Sequence, residues 1–340
     1  MTRRQLLLAS ALLALAPSLP DSVSWTVAGA QTRALIVTGL GAEDKYRRQF
    51  IALGEQLTNA LTGRFGIPTD NIAWLGEDST SRSKTYKGRS TSQAISREFD
   101  RLATSAKRGD QIVFVLIGHG SGTGEDTKFN IPGPDITARD FNILLARFDA
   151  QRVAFLNLTT ASGDAIGVLS SPNRIVVTST KSAYERNESQ FARFFVEALD
   201  KPGVADVDKD GRVSLLEAYR YGVTETRRSY ENDERLVTEH AQLDDDGNGK
   251  GTDLPDGRGA GDGLLARRFF LDVGAVESRV AASDPRFARL YADKFAIEDK
   301  IDALKQRKAA MKVDVYYTEL EVLLIGLARV AREIRQVEGR

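Results

Sequence analysis

Ile112-Val113-Phe114-Val115-Leu116-Ile117 is an unbroken apolar run, followed at once by Gly118-His119-Gly120-Ser121-Gly122-Thr123-Gly124. A strand with one wet face alternates apolar and polar residues, whereas a strand covered on both faces need not. The run therefore predicts a central strand of a doubly covered sheet, and the glycines after it predict a flexible loop. Working outward, residues 34–38, 71–75, 153–158 and 175–178 are similar short apolar segments. Helical patterns separate them, over about 43–61, from the cap Thr91 onward, over about 137–148 and over 190–199. Phe50, Leu53, Leu57 and Leu61 share one face of the first; Ile95, Phe99 and Leu102 mark the second. Strands joined by helix-sized crossovers predict a three-layer α/β/α sandwich with a mostly parallel sheet. Functional groups of such folds gather beyond the carboxyl ends of the strands. His119 and Thr160 both lie at such ends, on strands consecutive in sequence.

Composition narrows the chemistry. The 340 residues carry 47 basic and 47 acidic side chains, so no excess of positive charge points to nucleic acid or an anionic membrane surface. The chain has no cysteine, which excludes disulfides, thiolate metal sites and a cysteine nucleophile. Walker A and G-x-G-x-x-G sequences are absent, and no serine stands in the nucleophile-elbow pattern.

Residues 1–30 read as an export signal. Arg3 and Arg4 precede an apolar stretch over 6–16, and Ala28-Gly29-Ala30 supplies a small-x-small cleavage site. Thr2-Arg3-Arg4-Gln5-Leu6-Leu7 has the look of a twin-arginine signal. The expectation is a periplasmic or secreted protein without a stable membrane span in its mature chain; an uncleaved anchor is the alternative. Residues 31–272 are then the α/β domain and 273–340 a C-terminal α-helical hairpin.

His119-Gly120 at one strand end and Thr160-Ala161-Ser162-Gly163 at the next resemble the caspase–legumain–gingipain clan of cysteine peptidases over roughly residues 33–271. The resemblance implies a caspase-like fold, with His119 as the proton-transfer group and position 160 as that of the nucleophile. Where the clan has cysteine, this chain has Thr160. An aliphatic hydroxyl is not measurably ionised at neutral pH, whereas a thiol is already a few per cent thiolate. The β-methyl of threonine also restricts χ1. The expected role is that of a non-catalytic peptidase homologue binding a peptide or protein partner. An alternative is a hydrolase using Thr160 or Ser162 with His119, the N–H groups near Gly120 and Gly163 serving an oxyanion. Another is an envelope scaffold that displays the hairpin.

Asp206-Val207-Asp208-Lys209-Asp210-Gly211-Arg212-Val213-Ser214-Leu215-Leu216-Glu217 fits the twelve-residue EF-hand loop. Asp206, Asp208 and Asp210 offer hard oxygens at positions 1, 3 and 5, and Gly211 permits the turn. Arg212 offers its carbonyl, Ser214 its hydroxyl or a water, and Glu217 both carboxylate oxygens; the expected ion is Ca2+. Asp244, Asp246, Asn248 and Gly249 begin a second such loop, but its twelfth position is Pro255. That stretch reads as an Asp/Gly-rich surface loop or a partial site. His240 and His119 are the only histidines, and their spacing gives no support to zinc.

Beyond a short strand-like stretch at 268–271, apolar residues recur at Phe287, Leu290, Tyr291, Phe295, Ile297, Ile301 and Leu304. A second stripe holds Tyr316, Leu320, Leu323, Leu324, Leu327, Val330, Ile334 and Val337. Two such helices predict an antiparallel hairpin, with Glu298 and Asp302 on a salt-bridged outer face. Its small core calls for a further packing partner and suggests a homo-oligomer or partner-binding arm.

Overall fold

The computed structural model describes residues 30–337 apart from 79, 80, 82, 202, 208, 210, 258–260, 273–288, 291, 292, 295, 298, 299, 302, 303, 305, 306, 309 and 310. The apolar runs form β1 (Thr32–Thr38), β2 (Ile72–Gly76), β3 (Tyr86–Arg89), β4 (Gln111–Gly118), β5 (Gly120–Ser121), β6 (Lys128–Phe129), β7 (Ile136–Thr137), β8 (Arg152–Thr159), β9 (Arg174–Thr178) and β10 (Gln242–Asp244). The helices are α1 (Asp44–Asn59), α2 (Ser92–Ser105), α3 (Ala138–Leu145), α4 (Ile166–Leu169), α5 (Phe191–Asp200), α6 (Leu215–Asn232) and α7 (Val313–Val337).

The main sheet runs β10-β9-β8-β4-β1-β2-β3, and every neighbouring pair is parallel except β10 with β9. Alternate residues of the central strands enter two separate cores. Val113, Val115, Ala154, Leu156, Ile175 and Val177 pack with Phe50, Leu57, Phe195 and Tyr219 of α1, α5 and α6. Ile112, Phe114, Val153, Phe155 and Val176 pack with Phe99, Leu102, Phe141 and Leu145 of α2 and α3. The mixed α/β class and the mostly parallel sheet agree with the sequence reading, and continuous apolarity is what burial on both faces requires.

Local chemistry sets the helix starts. Thr91 accepts the N–H of Ala94, while Thr137 with Asp140 and Ser214 with Glu217 form capping boxes. The helix expected to reach 61 instead passes into a π turn at Ala60–Arg64. The glycine-rich segment after β4 is more ordered than expected: Gly120 and Ser121 pair with Phe129 and Lys128 in a small antiparallel sheet. Stretch 268–271 is not a strand of the main sheet. Ala266–Arg268 is a 3-10 turn, and Phe270 makes a single bridge to Ser214. The edge at β10 is covered by its own chain, where Leu243 and Thr252 exchange main-chain hydrogen bonds.

α7 matches the second expected helix, and the described residues between 289 and 304 are helical, with Ile301 and Leu304 buried. Phe287, Tyr291, Phe295, Glu298 and Asp302 lie outside the described residues, as does the expected export signal over 1–29. Among the described residues, no helix is long and apolar enough to cross a membrane.

Phe114 stacks on Phe99 at 4.2 Å between ring centroids and meets Phe148 edge-on at 5.4 Å. Truncating so enclosed a ring leaves a cavity that close packing cannot refill. Phe114→Ala is expected to lower stability by about 3–5 kcal/mol in denaturant titration; a loss below about 1 kcal/mol would contradict this packing.

Candidate functional site

The pairing of β4 with β8 is in register from Gln111 opposite Arg152 to Gly118 opposite Thr159. His119 and Thr160, each one residue further on, therefore emerge side by side at the carboxyl edge of the sheet. From β1 the chain proceeds to β2 and β3 on one side and to β4 and β8 on the other. The strand order thus reverses between β1 and β4, which is where open α/β sheets form their crevice. Phe50, Leu53, Ile117, Leu158, His119 and Thr160 line a common cleft there, with Glu188 and Ser189 of the segment before α5 on its wall.

Aromatic edges hold the imidazole. The His119 ring lies 4.8 Å from the Tyr46 ring and 5.1 Å from the Phe50 ring, both nearly perpendicular to it. Partial burial pulls its pKa below the ordinary 6.5, and the negative charges of Glu188 and Glu43 act more weakly in the opposite direction. Among the described residues, no carboxylate hydrogen-bonds to this ring.

The hydroxyls of the neighbouring turn are engaged. Thr160 is buried, and the N–H of Gly120 donates to its Oγ1 at 3.2 Å. Gly120 has no room for a side chain, because a Cβ would stand 2.4 Å from the Thr160 carbonyl oxygen. Ser162 is sealed beneath the turn: its Oγ accepts the N–H of Ser179 at 3.1 Å and lies 3.3 Å from Thr180 Oγ1. Thr180 Oγ1 also accepts the N–H groups of Ser162 and Gly163, at 2.8 and 3.0 Å. Thr159 donates to Asn157 Oδ1 at 2.7 Å. The structure brings His119, Gly120 and Thr160 together at the cleft but points the hydroxyl of Ser162 and the N–H of Gly163 into the protein.

The loop expected to hold calcium is wrapped around its own donors. Gly211 has φ +85° and donates its N–H to Asp206 Oδ2 at 3.1 Å. Glu217 Oε2 accepts the N–H and hydroxyl of Ser214 at 2.9 and 2.8 Å, while Oε1 accepts the N–H of Val207 at 3.1 Å. Arg212 turns its guanidinium to Asp272 and across the Phe270 ring. Asp208 and Asp210 lie outside the described residues. The two described carboxylates at the ends of the loop, Asp206 and Glu217, are engaged with its main-chain N–H groups.

In the second acidic loop, Asp244, Asp246 and Asp262 each offer an oxygen within 4.8 Å of the others. Twelve-residue spacing pointed to Pro255; the third carboxylate comes instead from a return of the chain that spacing could not reveal. Asp245 between them is pushed up to about 6, chiefly by burial. His240 is bound to Glu185, Nδ1 to Oε1, at 2.6 Å. Sequence reasoning did not find Glu185, Glu188 and Ser189, because they follow a strand end without any motif.

No family model and no curated protein matches the chain. Solved structures similar to it include caspase-1 from Spodoptera frugiperda, at TM-score 0.42 and 10% identity over 64% of this chain and 87% of that one. The Drosophila initiator caspase Dronc is similar at TM-score 0.39 and 12% identity, over 68% of this chain and 85% of that one. A Geobacter sulfurreducens protein is similar at TM-score 0.38 and 12% identity, over 57% and 89%.

Two outcomes are expected. His119 titrates below 6.5 when followed by NMR of its ring protons; because its folded pKa is depressed, the stability it contributes is present above 6.5 and lost as pH falls. Ser162→Ala removes one of the two acceptors of the buried Ser179 N–H, which keeps the Asn157 carbonyl at 3.1 Å, and is expected to lower stability by about 0.5–1.5 kcal/mol in chemical denaturation. A thermally silent Ser162→Ala would contradict the enclosed turn.

Proposed function

We propose that this chain is an exported, non-catalytic homologue of caspase- and legumain-type peptidases that binds a peptide or protein segment in the His119/Thr160 cleft and is stabilised by Ca2+ in loop 206–217. The observation that carries the reading is the hydrogen bond from Gly120 N–H to Thr160 Oγ1. An acyl-transfer site needs an activated nucleophile and unspent donors aimed at the developing oxyanion. Here the hydroxyl at the nucleophile position consumes one such donor, and Thr180 consumes the N–H groups of Ser162 and Gly163. The imidazole stands between aromatic edges, with its neutral form favoured by burial. A cleft with apolar walls and a few polar groups still suits recognition of a side chain.

The decisive experiment is a peptide-library screen of the mature protein, scored for binding and for cleavage. Binding without cleavage is expected. Cleavage that disappears in both Thr160→Ala and His119→Ala would establish the hydrolase instead. Thr160→Cys tests how much of the machinery survives: restored cleavage would mean that only the nucleophile was exchanged.

For the metal, the bonds from Gly211 N–H to Asp206 Oδ2 and from Val207 N–H to Glu217 Oε1 support a hard-cation loop, since they curl the chain with an acidic oxygen at each end. Added calcium is expected to raise the thermal midpoint by several degrees, and Asp206→Ala to abolish that rise, at concentrations of about 10⁻⁴–10⁻³ M typical of extracellular modules. A midpoint indifferent to calcium and chelator would remove the ion from the proposal.

A further inference from the structure

The turn that carries Thr160 is closed by the segment 185–191, and that segment is itself held from outside the sheet. Ala161 has φ +54°, a left-handed conformation uncommon for a residue with a Cβ. Its N–H donates to the Glu185 carbonyl at 2.8 Å. Glu185 is therefore one of the groups that hold the strained residue beside Thr160 in its geometry, together with Thr180 on the following two N–H groups.

Three consecutive residues tie that segment from outside the sheet, while Lys181 adds its main-chain N–H to Glu185 Oε2 at 3.0 Å from within the turn. His240 donates its main-chain N–H to Glu185 Oε2 at 3.0 Å and places Nδ1 2.6 Å from Oε1. Glu239, buried, accepts the Ser189 hydroxyl at 2.9 Å and the N–H groups of Gln190 and Phe191 at 2.6 and 3.2 Å, capping the entry to α5. Thr238 Oγ1 accepts the Asn187 side-chain amide at 3.0 Å. Residues 185, 187 and 189 are thus each tied to one of 240, 238 and 239, and the stretch they anchor includes Glu188 and Ser189 of the cleft wall.

We infer that Thr238-Glu239-His240 is a positioning clasp for the cleft, with His240 acting through Glu185 on the Ala161 turn. The inference rests on reading the cleft as the binding site. His240 does not touch a ligand there; it holds the carboxylate whose own carbonyl holds the turn. A histidine is suited to this place because its Nδ1 and its main-chain N–H address both oxygens of one carboxylate.

The test compares wild type with His240→Ala, His240→Asn and Asn187→Ala in the full chain, without ligand and with a peptide selected in the screen above. The main readout needs no ligand: the titration of His119 by NMR, together with the amide resonance of Ala161. In His240→Ala the wall loosens and the ring gains water, so the His119 pKa is expected to rise towards 6.5, the Ala161 amide to shift and peptide affinity to fall about tenfold, the equivalent of about 1.4 kcal/mol. Asparagine presents an N–H near the place of Nδ1 and is expected to restore all three. Asn187→Ala removes one exposed tie and is expected to move His119 in the same direction by less.

Unchanged His119 titration in a folded His240→Ala, or failure of asparagine to rescue it, overturns the clasp and leaves His240 as a stabilising contact. If His240→Ala does not fold, Asn187→Ala with an unmoved His119 overturns it equally. Wild-type protein that binds no peptide while its His119 responds to these variants would refute the binding function and leave the clasp standing.

Discussion

The site depends on the register between β4 and β8. Parallel hydrogen bonding sets Gly118 opposite Thr159, so the residues that follow are neighbours by construction of the ladder rather than by any contact between their side chains. A slip of one residue would turn every side chain of one strand to the other core, exchanging Val113, Val115 and Ile117 for Ile112, Phe114 and Leu116. Both cores are filled by side chains of different size, and this fixes the register far more firmly than the cleft itself could. The cost of the cleft's precision is thereby carried by residues that take no part in it.

What the register assembles is a turn whose polar groups are largely satisfied. A buried donor without a partner costs more than a hydrogen bond gains. In the turn after β8, Thr180 Oγ1 serves the N–H groups of Ser162 and Gly163, the Glu185 carbonyl serves that of Ala161, and Ser162 Oγ serves Ser179. Such a turn is rigid, which favours recognition. It has few donors left to offer a reaction intermediate, which disfavours acyl transfer. The Thr160 oxygen adds to this, as an acceptor well matched to the Gly120 N–H.

The fold was legible because burial on two faces leaves a plain mark: the runs at 112–117 and 153–158 are too apolar for anything but central strands, and both lie within observed strands. His119 and Thr160 were legible for the same reason, as the first residues beyond those runs. Short elements left no such mark. β3 has the residues Tyr-Lys-Gly-Arg with alternate exposure, and β10 spans only Gln242–Asp244, so neither rises above the pattern of a loop. The cleft wall at 185–191 and its ties to 238–240 were invisible because they join residues about fifty positions apart through single hydrogen bonds, which impose no periodicity. Ser162 illustrates the opposite case. Its place in the motif was plain, but only three-dimensional packing shows that its hydroxyl faces Ser179 and Thr180.

The two acidic loops show how similar sequences can solve different physical problems. In 206–217 the last carboxylate of the motif caps the helix it begins, since Glu217 both completes a capping box and reaches back to Val207. The loop is thereby coupled to α6, whose Gly222 lets the Phe191 ring of α5 approach closely. In 244–262 the carboxylates turn inward to main-chain donors: Asp245 accepts from Gly263 and Ala266, Asp262 from Asp245, and Asp244 from Gly247 and Gly249. Burying carboxylates is tolerable only when such donors replace water. The same bonds draw the chain back across β10, where Thr252 covers the sheet edge and donates its hydroxyl to Asp262. Acidic residues that resemble a second ion loop in the sequence thus also close the sheet, so their pattern alone does not distinguish a ligand set from an edge-sealing turn.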